Sequence, residues 1–265
     1  MTTPPSPPDP LPGPVPAGSP GRVVFIGAGP GSADLITVRG ARALGQASVV
    51  LADALVDPAL REYCPDAQWI HVGKRGFQDS TPQAEINRQL VAHALAGHRV
   101  ARLKGGDPSV FGRLEEEIQA LLAAAIDFEV IPGVTAALAA AAAAGRPLTR
   151  RGSGRSVSLT TAMTRDFLIQ PQRAGETQVF YMAGRHLPDL ARHLLAQGWP
   201  LQTRVYTVSR AGWPDQKASE HALDDLERAA DLHAGRPTVV TIGVGAAPLS
   251  PCTLADHHAS PDANA

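Results

Sequence analysis

The amino-acid sequence predicts an α/β protein with two domains. From Arg22 onward, short apolar runs that end in glycine or polar residues alternate with segments of helical periodicity. A segment rich in glycine and arginine, GRPLTRRGSGRS, interrupts this alternation, and a second set of the same kind follows it. Because strands that alternate with helices favour parallel pairing, each set predicts a layered α/β architecture.

The first domain contains five predicted strands and three predicted helices. The strands are RVVFIG, SVVLA, QWIHV, RVARLK and DFEVI, which are apolar and rich in β-branched residues. LITVRGARALGQA and TPQAEINRQLVAHALAG have helical spacing, and Thr81 is the expected N-cap of the second helix. The alanine-rich run from Thr135 to Gly145 is too short to cross a bilayer and predicts a buried helix.

The second domain contains four predicted strands and two predicted helices. The strands are SVSLTT, TQVFYM, TRVYTVS and PTVVTIG, and the helices are LPDLARHLLAQG and LDDLERAADLHAG. We expect the domains to span residues 21–146 and 147–247, between a disordered proline-rich tail at 1–20 and a disordered tail at 248–265. Two such domains leave a cleft between them, which is a common place for ligands.

Composition excludes several classes of partner. With 24 Lys and Arg against 25 Asp and Glu, the net charge of −1 gives no global attraction for nucleic acid or for a membrane surface. The N-terminal residues lack the pattern of a signal peptide, and a cytoplasmic location is expected. Only Cys64 and Cys252 are present, so we expect neither a disulfide framework nor a metal site.

The turn after the first strand resembles a dinucleotide-binding fingerprint. GAGPGS spans Gly27 to Ser32, and Asp53 lies where a ribose-binding acid would be. However, Ser32 occupies the third glycine position, and Pro30 removes a backbone N–H from a turn that would donate N–H groups to a pyrophosphate. A nicotinamide-dependent dehydrogenase is therefore disfavoured, and a tight turn explains the glycines almost as well.

The stretch RLKGGDPSVFG places Gly105 and Gly106 directly before Asp107. Tandem glycines indicate a sharp bend or a close approach of another group to the backbone. The alternative is a turn in which Asp and Pro are chosen for turn geometry, although that alternative does not explain the second glycine.

Several motifs together resemble one family. They occur in its order and spacing from about Arg22 to Gly245, and they are VFIGAGPGSADLIT, ADALV, VGKR followed by PQAEIN, RLKGGDPSVFGR, IPGVTAALA, PLTRR and FYMAG. This pattern resembles the S-adenosylmethionine-dependent uroporphyrinogen-III C-methyltransferases, which have the tetrapyrrole methylase fold. RLKGGDPSVFGR is the most specific of the motifs.

The resemblance implies a two-domain α/β protein with a cofactor cleft between the domains, usually a homodimer. The implied reaction moves two methyl groups from S-adenosyl-L-methionine to carbons 2 and 7 of uroporphyrinogen III and gives precorrin-2, on the routes to sirohaem and cobalamin. A methyltransferase for another precorrin and a tetrapyrrole-binding protein without turnover remain open alternatives.

The resemblance also implies specific site residues. Asp53 of ADALV matches the proposed base, and Lys74 of VGKR matches its proposed acid partner. Each has an alternative role as an anchor, Asp53 for pyrrole N–H groups and Lys74 for a propionate. The implied contacts of the methyl donor are Pro30, Gly105, Gly106, Asp107, Val110, Thr135, Ala136, Met182 and Ala211.

A substrate with eight carboxylates requires a local cluster of cations in spite of the neutral total charge. Arginine suits bidentate recognition of carboxylates. The alternative for any single arginine of the linker is a solvated surface position. The candidate substrate-binding residues are Arg75, Arg113, Arg150 and Arg151, with Arg146 and Arg155 in the same linker.

Five residues in three stretches depart from the family pattern. Leu114 and Glu115 follow FGR where a glycine pair is usual, so we expect a helix to begin sooner there. Ala162 and Met163 replace a common glycine and histidine, and Arg150 stands where histidine is frequent. These departures affect the substrate pocket more than the donor site.

Overall fold

The computed structural model describes residues 21–73, 81–162 and 175–249. These residues form two compact units. The first unit contains the described residues up to Ala140 together with Val208–Lys217 and Arg236–Thr238, and the second contains the other described residues. Two segments from late in the chain therefore belong to the first unit.

The first unit is built on a five-stranded sheet. Its strands are β1 (Val23–Gly27), β2 (Val49–Ala52), β3 (Gln68–His71), β4 (Val100–Lys104) and β5 (Phe128–Ile131). Their order is β3-β2-β4-β1-β5, and every neighbouring pair is parallel. All five predicted strands and the predicted parallel pairing are confirmed.

Helices connect these strands. They are α1 (Val38–Leu44), α2 (Gln83–Leu95), α3 (Leu114–Ala123) and α4 (Ala136–Ala144), with 3₁₀ turns at Ala33–Leu35 and Pro58–Tyr63. α3 begins at Leu114, as the missing glycine pair predicts. The predicted burial of α4 holds for one face only, because Leu138 is 54% exposed.

The predicted N-cap of α2 is wrong. The N-cap is Pro82 rather than Thr81, and Pro82 has an extended ψ of 142°. Its carbonyl oxygen accepts the N–H groups of Glu85 and Ile86 at 2.9 and 3.2 Å. Proline suits this position because its fixed φ is compatible with a helix start and its missing N–H is not needed there.

The first sheet is covered on both faces. Ile26 packs with Leu44 and Leu60 on one face, whereas Phe25 packs with Leu90 of α2 on the other. The core therefore lies on the two faces of the sheet. Open parallel sheets bind ligands in the loops at the carboxyl ends of their strands, so a site is expected in those loops.

The second sheet has mixed pairing. Its strands are β6 (Val157–Thr161), β7 (Thr177–Tyr181), β8 (Arg204–Ser209), β9 (Lys217–Ala222) and β10 (Thr238–Gly243), in the order β6-β7-β10-β8-β9. β6 and β7 are parallel, whereas β7 and β10 are antiparallel, so the expected parallel pairing is wrong for that pair. The sequence did not predict β9, because KASEHA is a polar strand at the edge of the sheet.

The helices of the second unit follow the prediction in part. α5 (Leu187–Ala196) is confirmed, and its buried Leu190 packs with Phe180 and Val240. LDDLERAADLHAG was expected to be one helix, but it begins as a 3₁₀ helix (Leu223–Ala229) and continues as the short α6 (Ala230–His233). Among the described residues, no helix has the length and apolar character that a membrane crossing requires.

Candidate functional site

The loops that follow β1, β4 and β5 meet through glycines. Gly29 and Gly106 exchange two backbone hydrogen bonds, with N···O distances of 3.3 and 2.7 Å. A Cβ atom on Gly133 would lie 2.3 Å from the Gly106 carbonyl oxygen, and one on Gly27 would lie 2.5 Å from the Gly133 Cα. We call Gly27, Gly29, Gly106 and Gly133 the glycine edge, where backbone contacts backbone without side chains in between.

Gly106 differs from the other residues of the glycine edge. Its φ is +73°, and a Cβ atom there would meet nothing closer than the Thr135 Cα and the Val134 carbonyl oxygen, both at 4.0 Å. A Cβ atom on the neighbouring Gly105 would lie 3.2 Å from the Leu55 Cβ. The missing side chain of Gly106 therefore leaves room beside the edge, as a ligand held by main-chain groups needs.

Asp107 joins two of the loops. Its Oδ2 accepts the N–H of Gly133 at 2.9 Å, and its Oδ1 accepts the N–H of Ser109 at 2.8 Å. The carboxylate thus fixes the loop after β4 to the loop after β5. Since each carboxylate oxygen has a second lone pair, donor binding by Asp107 stays a prediction that this arrangement permits.

The segment Val208–Lys217 closes the turn after β1. A Cβ on Gly31 would lie 2.5 Å from the carbonyl carbon of Gly212, and the Ser32 N–H donates to the Gly212 carbonyl oxygen at 2.9 Å. The Trp213 indole N–H donates to the Pro30 carbonyl oxygen at 3.2 Å. The glycines of GAGPGS therefore allow close contacts within the protein. These contacts explain why the spacing resembles a dinucleotide-binding fingerprint although no pyrophosphate need bind there.

Charged side chains hold this segment in place. Asp215 accepts hydrogen bonds from Arg210 Nε at 2.7 Å and from Arg236 Nη2 at 3.1 Å, and Arg210 lies over the Trp213 ring at 4.3 Å from its centre. The hydrogen bond from Arg210 lowers the pKa of Asp215 below its ordinary value, and Arg236 adds to this effect. Ala211, a predicted donor contact, is 5% exposed within this segment.

Asp53 follows β2 at the same edge of the sheet. Its backbone N–H donates to the Leu103 carbonyl oxygen at 3.1 Å, and its Oδ1 lies 2.6 Å from Arg102 Nη2. The side chain of Asp53 is 31% exposed, whereas that of Arg102 is 2% exposed. The predicted base is therefore partly exposed to solvent and forms an ion pair with a buried arginine.

The sequence reasoning missed the group of charges to which Arg102 belongs. Lys104 is buried and donates to Glu117 of α3 at 2.8 Å, and burial together with the nearby Arg102 lowers its pKa in spite of Glu117. A signal was available, since Arg102 and Lys104 share one face of a central strand. On α3, Glu117 lies four residues before the buried Leu121, in the apolar stripe.

The other predicted residues of the first unit lie on the loops just described. Val110 donates its N–H to the Asp107 carbonyl at 3.2 Å, and Thr135 immediately precedes α4, which begins at Ala136. Arg113 is the N-cap of α3 with a φ of +54°, and it pairs with Glu116 at 2.7 Å. The predicted residues that belong to the first unit and are described are Pro30, Asp53, Gly105, Gly106, Asp107, Val110, Arg113, Thr135, Ala136 and Ala211.

Three predicted residues belong to the second unit. Met182 follows β7 with a φ of +57° and is 40% exposed. Arg150 donates to the carbonyl oxygens of Ala247 and Pro248, so its guanidinium is engaged within its own unit, whereas Arg151 is exposed. Their roles stay predictions. Lys74, Arg75 and Met163 lie outside the described residues.

Comparison with known proteins identifies the family. A family model described as Tetrapyrrole (Corrin/Porphyrin) Methylases matches residues 22–227, well over half of the chain. The chain belongs to this family. The predicted resemblance is thereby confirmed, and the dinucleotide interpretation of Gly27 to Ser32 loses its support.

Two curated relatives have the same level of identity to this tetrapyrrole methylase. The uroporphyrinogen-III C-methyltransferase of Pseudomonas aeruginosa is 42% identical over 228 residues, which cover 84% of the chain and 93% of that relative. The siroheme synthase of Pseudomonas fluorescens is 42% identical over 233 residues, with 84% of the chain covered. The chain spans about half the length of this siroheme synthase, since 50% of it is matched.

Solved structures confirm the predicted fold class. The uroporphyrin-III C-methyltransferase of Thermus thermophilus, complexed with S-adenosylhomocysteine, matches with a TM-score of 0.73 and 34% identity over 84% of this methylase and 97% of that chain. A cobalt precorrin-4 methyltransferase matches with a TM-score of 0.74 and 30% identity over 86% and 96%. The predicted domain bounds and the cleft stay predictions.

Proposed function

We propose that this chain transfers two methyl groups from S-adenosyl-L-methionine to carbons 2 and 7 of uroporphyrinogen III and so forms precorrin-2. The observation that supports this most directly is the glycine edge beside the partly exposed carboxylate of Asp53. The relative from Pseudomonas aeruginosa, 93% of which is matched at 42% identity, carries the name of this activity.

The glycine edge suits a methyl donor without phosphate groups. Bound S-adenosyl-L-methionine supplies an electrophilic methyl group on a positively charged sulfur. Main-chain groups around Gly105 and Gly106 would be accessible to such a ligand, because a Cβ atom on Gly106 would meet no atom closer than 4.0 Å. Val110, Thr135, Ala136 and Ala211 would line the same edge, and Met182 of the second unit is carried over from the family.

Asp53 would act on the tetrapyrrole. The loop after it reaches Gly105 through Leu55, so the carboxylate and the tandem glycines lie on neighbouring loops. When a pyrrole carbon forms its bond to the methyl group, the macrocycle has to lose a proton, and Asp53 would accept it. Lys74 would serve as the acid partner, and orientation of the two reactants would supply much of the rate.

Arginines would hold the carboxylates of the macrocycle. Arg113 is 59% exposed and its partner Glu116 is 46% exposed, so a substrate carboxylate can replace Glu116 at little cost. Arg151 is exposed, and Arg75 and Arg150 complete the proposed set. We further expect a cytoplasmic homodimer that binds neither nucleic acid nor membranes, as the family and the near-neutral charge suggest.

The choice of substrate rests on sequence rather than on fold. The two solved methyltransferases named above act on different tetrapyrroles, yet their TM-scores to this chain are 0.73 and 0.74. The higher identity to a uroporphyrinogen-III C-methyltransferase, at 42%, favours uroporphyrinogen III. Another precorrin is the second candidate, because the cobalt precorrin-4 enzyme has an equal structural similarity.

The test is incubation of the full chain with uroporphyrinogen III and methyl-labelled S-adenosyl-L-methionine. We expect a product that carries two labelled methyl groups at carbons 2 and 7, with two equivalents of S-adenosylhomocysteine released. Labels at other carbons would replace the substrate assignment with another precorrin methylation. Tetrapyrrole binding without S-adenosylhomocysteine release would identify a binding protein instead.

A further inference from the structure

A group of four charged side chains lies beneath the carboxyl end of β4. Arg102 and Lys104 are each 2% exposed and meet Glu117, which is 0% exposed. Asp53 joins the group from the surface, with 31% of its side chain exposed. Two cations therefore balance two carboxylates, and Asp53 is the member that solvent reaches.

Arg102 uses all five of its N–H donors. Its Nε and Nη2 donate to the two oxygens of Glu117 at 3.1 and 3.0 Å, and Nη2 also lies 2.6 Å from Asp53 Oδ1. Its Nη1 donates to the carbonyl oxygens of Leu51 and Leu103 at 3.4 and 3.3 Å. The guanidinium is thus held by β2, β4 and α3 at once.

The charge of Arg102 is as fixed as its position. Burial alone would lower the pKa of the guanidinium, but the charges of Asp53 and Glu117 raise it above its ordinary value. Meanwhile the backbone N–H of Asp53 is bound to Leu103, the neighbour of Arg102 on β4. Asp53 is therefore tied to the same strand through its backbone and through one carboxylate oxygen.

We propose that Arg102 is a positioning residue for methyl transfer, which orients the carboxylate of Asp53 beside the glycine edge. This inference rests on the proposed function, because it assigns Arg102 a role through Asp53. The side chain of Arg102 is 2% exposed, so it would act through Asp53 rather than contact a reactant itself. Because the guanidinium is planar and two of its donors bind Glu117, a remaining N–H of Nη2 points in a fixed direction, towards Asp53. The ammonium group of a lysine cannot reproduce this forked arrangement of donors.

The experiment is a double-mutant cycle on kcat in the full chain, with Arg102→Lys, Asp53→Asn and the double variant. We expect Arg102→Lys to lower kcat by about tenfold to a hundredfold, since a misplaced catalytic group costs this much. The dissociation constant of S-adenosylhomocysteine should not change. In the double variant, kcat should be no lower than in Asp53→Asn alone, because the orientation of a carboxylate that is absent no longer matters.

Lys104→Met is the matched control. Lys104 belongs to the same buried group and contacts Glu117 at 2.8 Å, so its loss disturbs the charges around Arg102 without removing the fork that holds Asp53. A role limited to stability would lower the melting temperature and would give losses of kcat that multiply with that of Asp53→Asn. We expect this multiplicative behaviour for Lys104→Met and its absence for Arg102→Lys.

The outcomes separate the inference from the proposed function. Methylated product with multiplicative losses for Arg102→Lys overturns the inference alone. Failure of the unmodified chain to methylate uroporphyrinogen III overturns the proposed function, and the inference falls with it. If Arg102→Lys does not fold, Asp53→Glu decides, since it keeps the charge but displaces the carboxylate: a kcat near that of Asp53→Asn supports positioning, and an unchanged kcat contradicts it.

Discussion

Trp213 donates its indole N–H to the carbonyl oxygen of Pro30 at 3.2 Å, across 183 residues of sequence. Pro30 lies in the turn after β1, and Trp213 lies in the segment that enters the first unit from late in the chain. The next residue of that segment towards the N-terminus, Gly212, packs against Gly31. The geometry of the turn thus depends on a distant part of the chain.

Removal of this hydrogen bond should weaken donor binding. Trp213→Phe keeps an aromatic ring under Arg210 but loses the indole N–H, and we expect the free energy of unfolding to fall by about 1 kcal/mol. The dissociation constant of S-adenosylhomocysteine should rise severalfold in calorimetry, because the turn is less well fixed. Trp69→Phe is the control, since its indole N–H donates to the carbonyl oxygen of Cys64 rather than to that of Pro30. An equal loss of affinity in both variants would contradict the prediction.

Substitution at Gly106 should separate ligand binding from folding. Gly106→Ala meets no atom closer than 4.0 Å, so the fold is retained with a strain of about 1 kcal/mol from the positive φ. The new methyl group fills the space beside the glycine edge, and binding of S-adenosylhomocysteine should fall at least tenfold. Gly198→Ala is matched in φ, at +82°, and in open surroundings. Gly198→Ala should show a similar loss of stability from the positive φ but unchanged binding of S-adenosylhomocysteine.

Asp53→Asn should lower turnover far more than donor binding. Loss of a proton-accepting carboxylate lowers rates by about a hundredfold or more, whereas S-adenosylhomocysteine binding should stay unchanged. Single-turnover kinetics and calorimetry measure the two effects. Asp57→Asn is the control, because the Asp57 carboxylate accepts the backbone N–H groups of Ala33 and Ala59. This variant should lower the free energy of unfolding while turnover persists. Unchanged turnover in Asp53→Asn would remove its catalytic role.

Acid should loosen the segment around Trp213 through Asp215. Because its pKa is lowered in the folded protein below the ordinary 3.8, the carboxylate stabilises the fold above that pH. This stabilisation is lost as the pH falls from 3.8 towards the folded-state pKa. Amide hydrogen exchange of Trp213 and Gln216 should therefore accelerate in this window, and Asp215→Asn should exchange fast at every pH. Identical pH profiles for the two proteins would contradict the assignment.

Tetrapyrrole binding should weaken with salt. Exposed arginines attract a polycarboxylate through charges that counterions screen. The affinity for uroporphyrin III, followed by fluorescence, should fall with ionic strength, and Arg151→Ala should reduce both the affinity and its salt dependence. Arg192→Ala serves as the control, because Arg192 is an exposed arginine that pairs with Asp189 on α5. A salt-independent affinity would contradict a site built on arginines.

The strands of the first sheet could be predicted from the sequence because each is a short apolar run with glycine or polar residues at its ends. The local sequence pattern does not predict elements whose position depends on residues distant in the chain. β9 is polar because it lies at the edge of its sheet, and the start of α2 depends on the carbonyl of Pro82 rather than on a side chain. Such features are set by tertiary position rather than by composition.

The sequence draws attention to the glycines of the candidate site, but not to side chains whose partners are distant in the chain. Gly105 and Gly106 stand out in the sequence because few other roles explain two adjacent glycines. The sequence around Arg102 predicts only an ordinary strand, because its partner Glu117 lies fifteen residues later on a helix. The contact of Gly31 with Gly212 has no local signal at all.

The membership of Val208–Lys217 in the first unit also affects synthesis of the protein. A nascent chain that has emerged only as far as Ala140 contains every strand of the first sheet, yet it lacks Gly212 and Trp213, which brace the turn after β1. These two residues can therefore brace the turn only after the chain has been synthesised beyond Trp213. Shortened forms that stop before Val208 would contain all five strands of the first sheet but neither of these contacts to the turn.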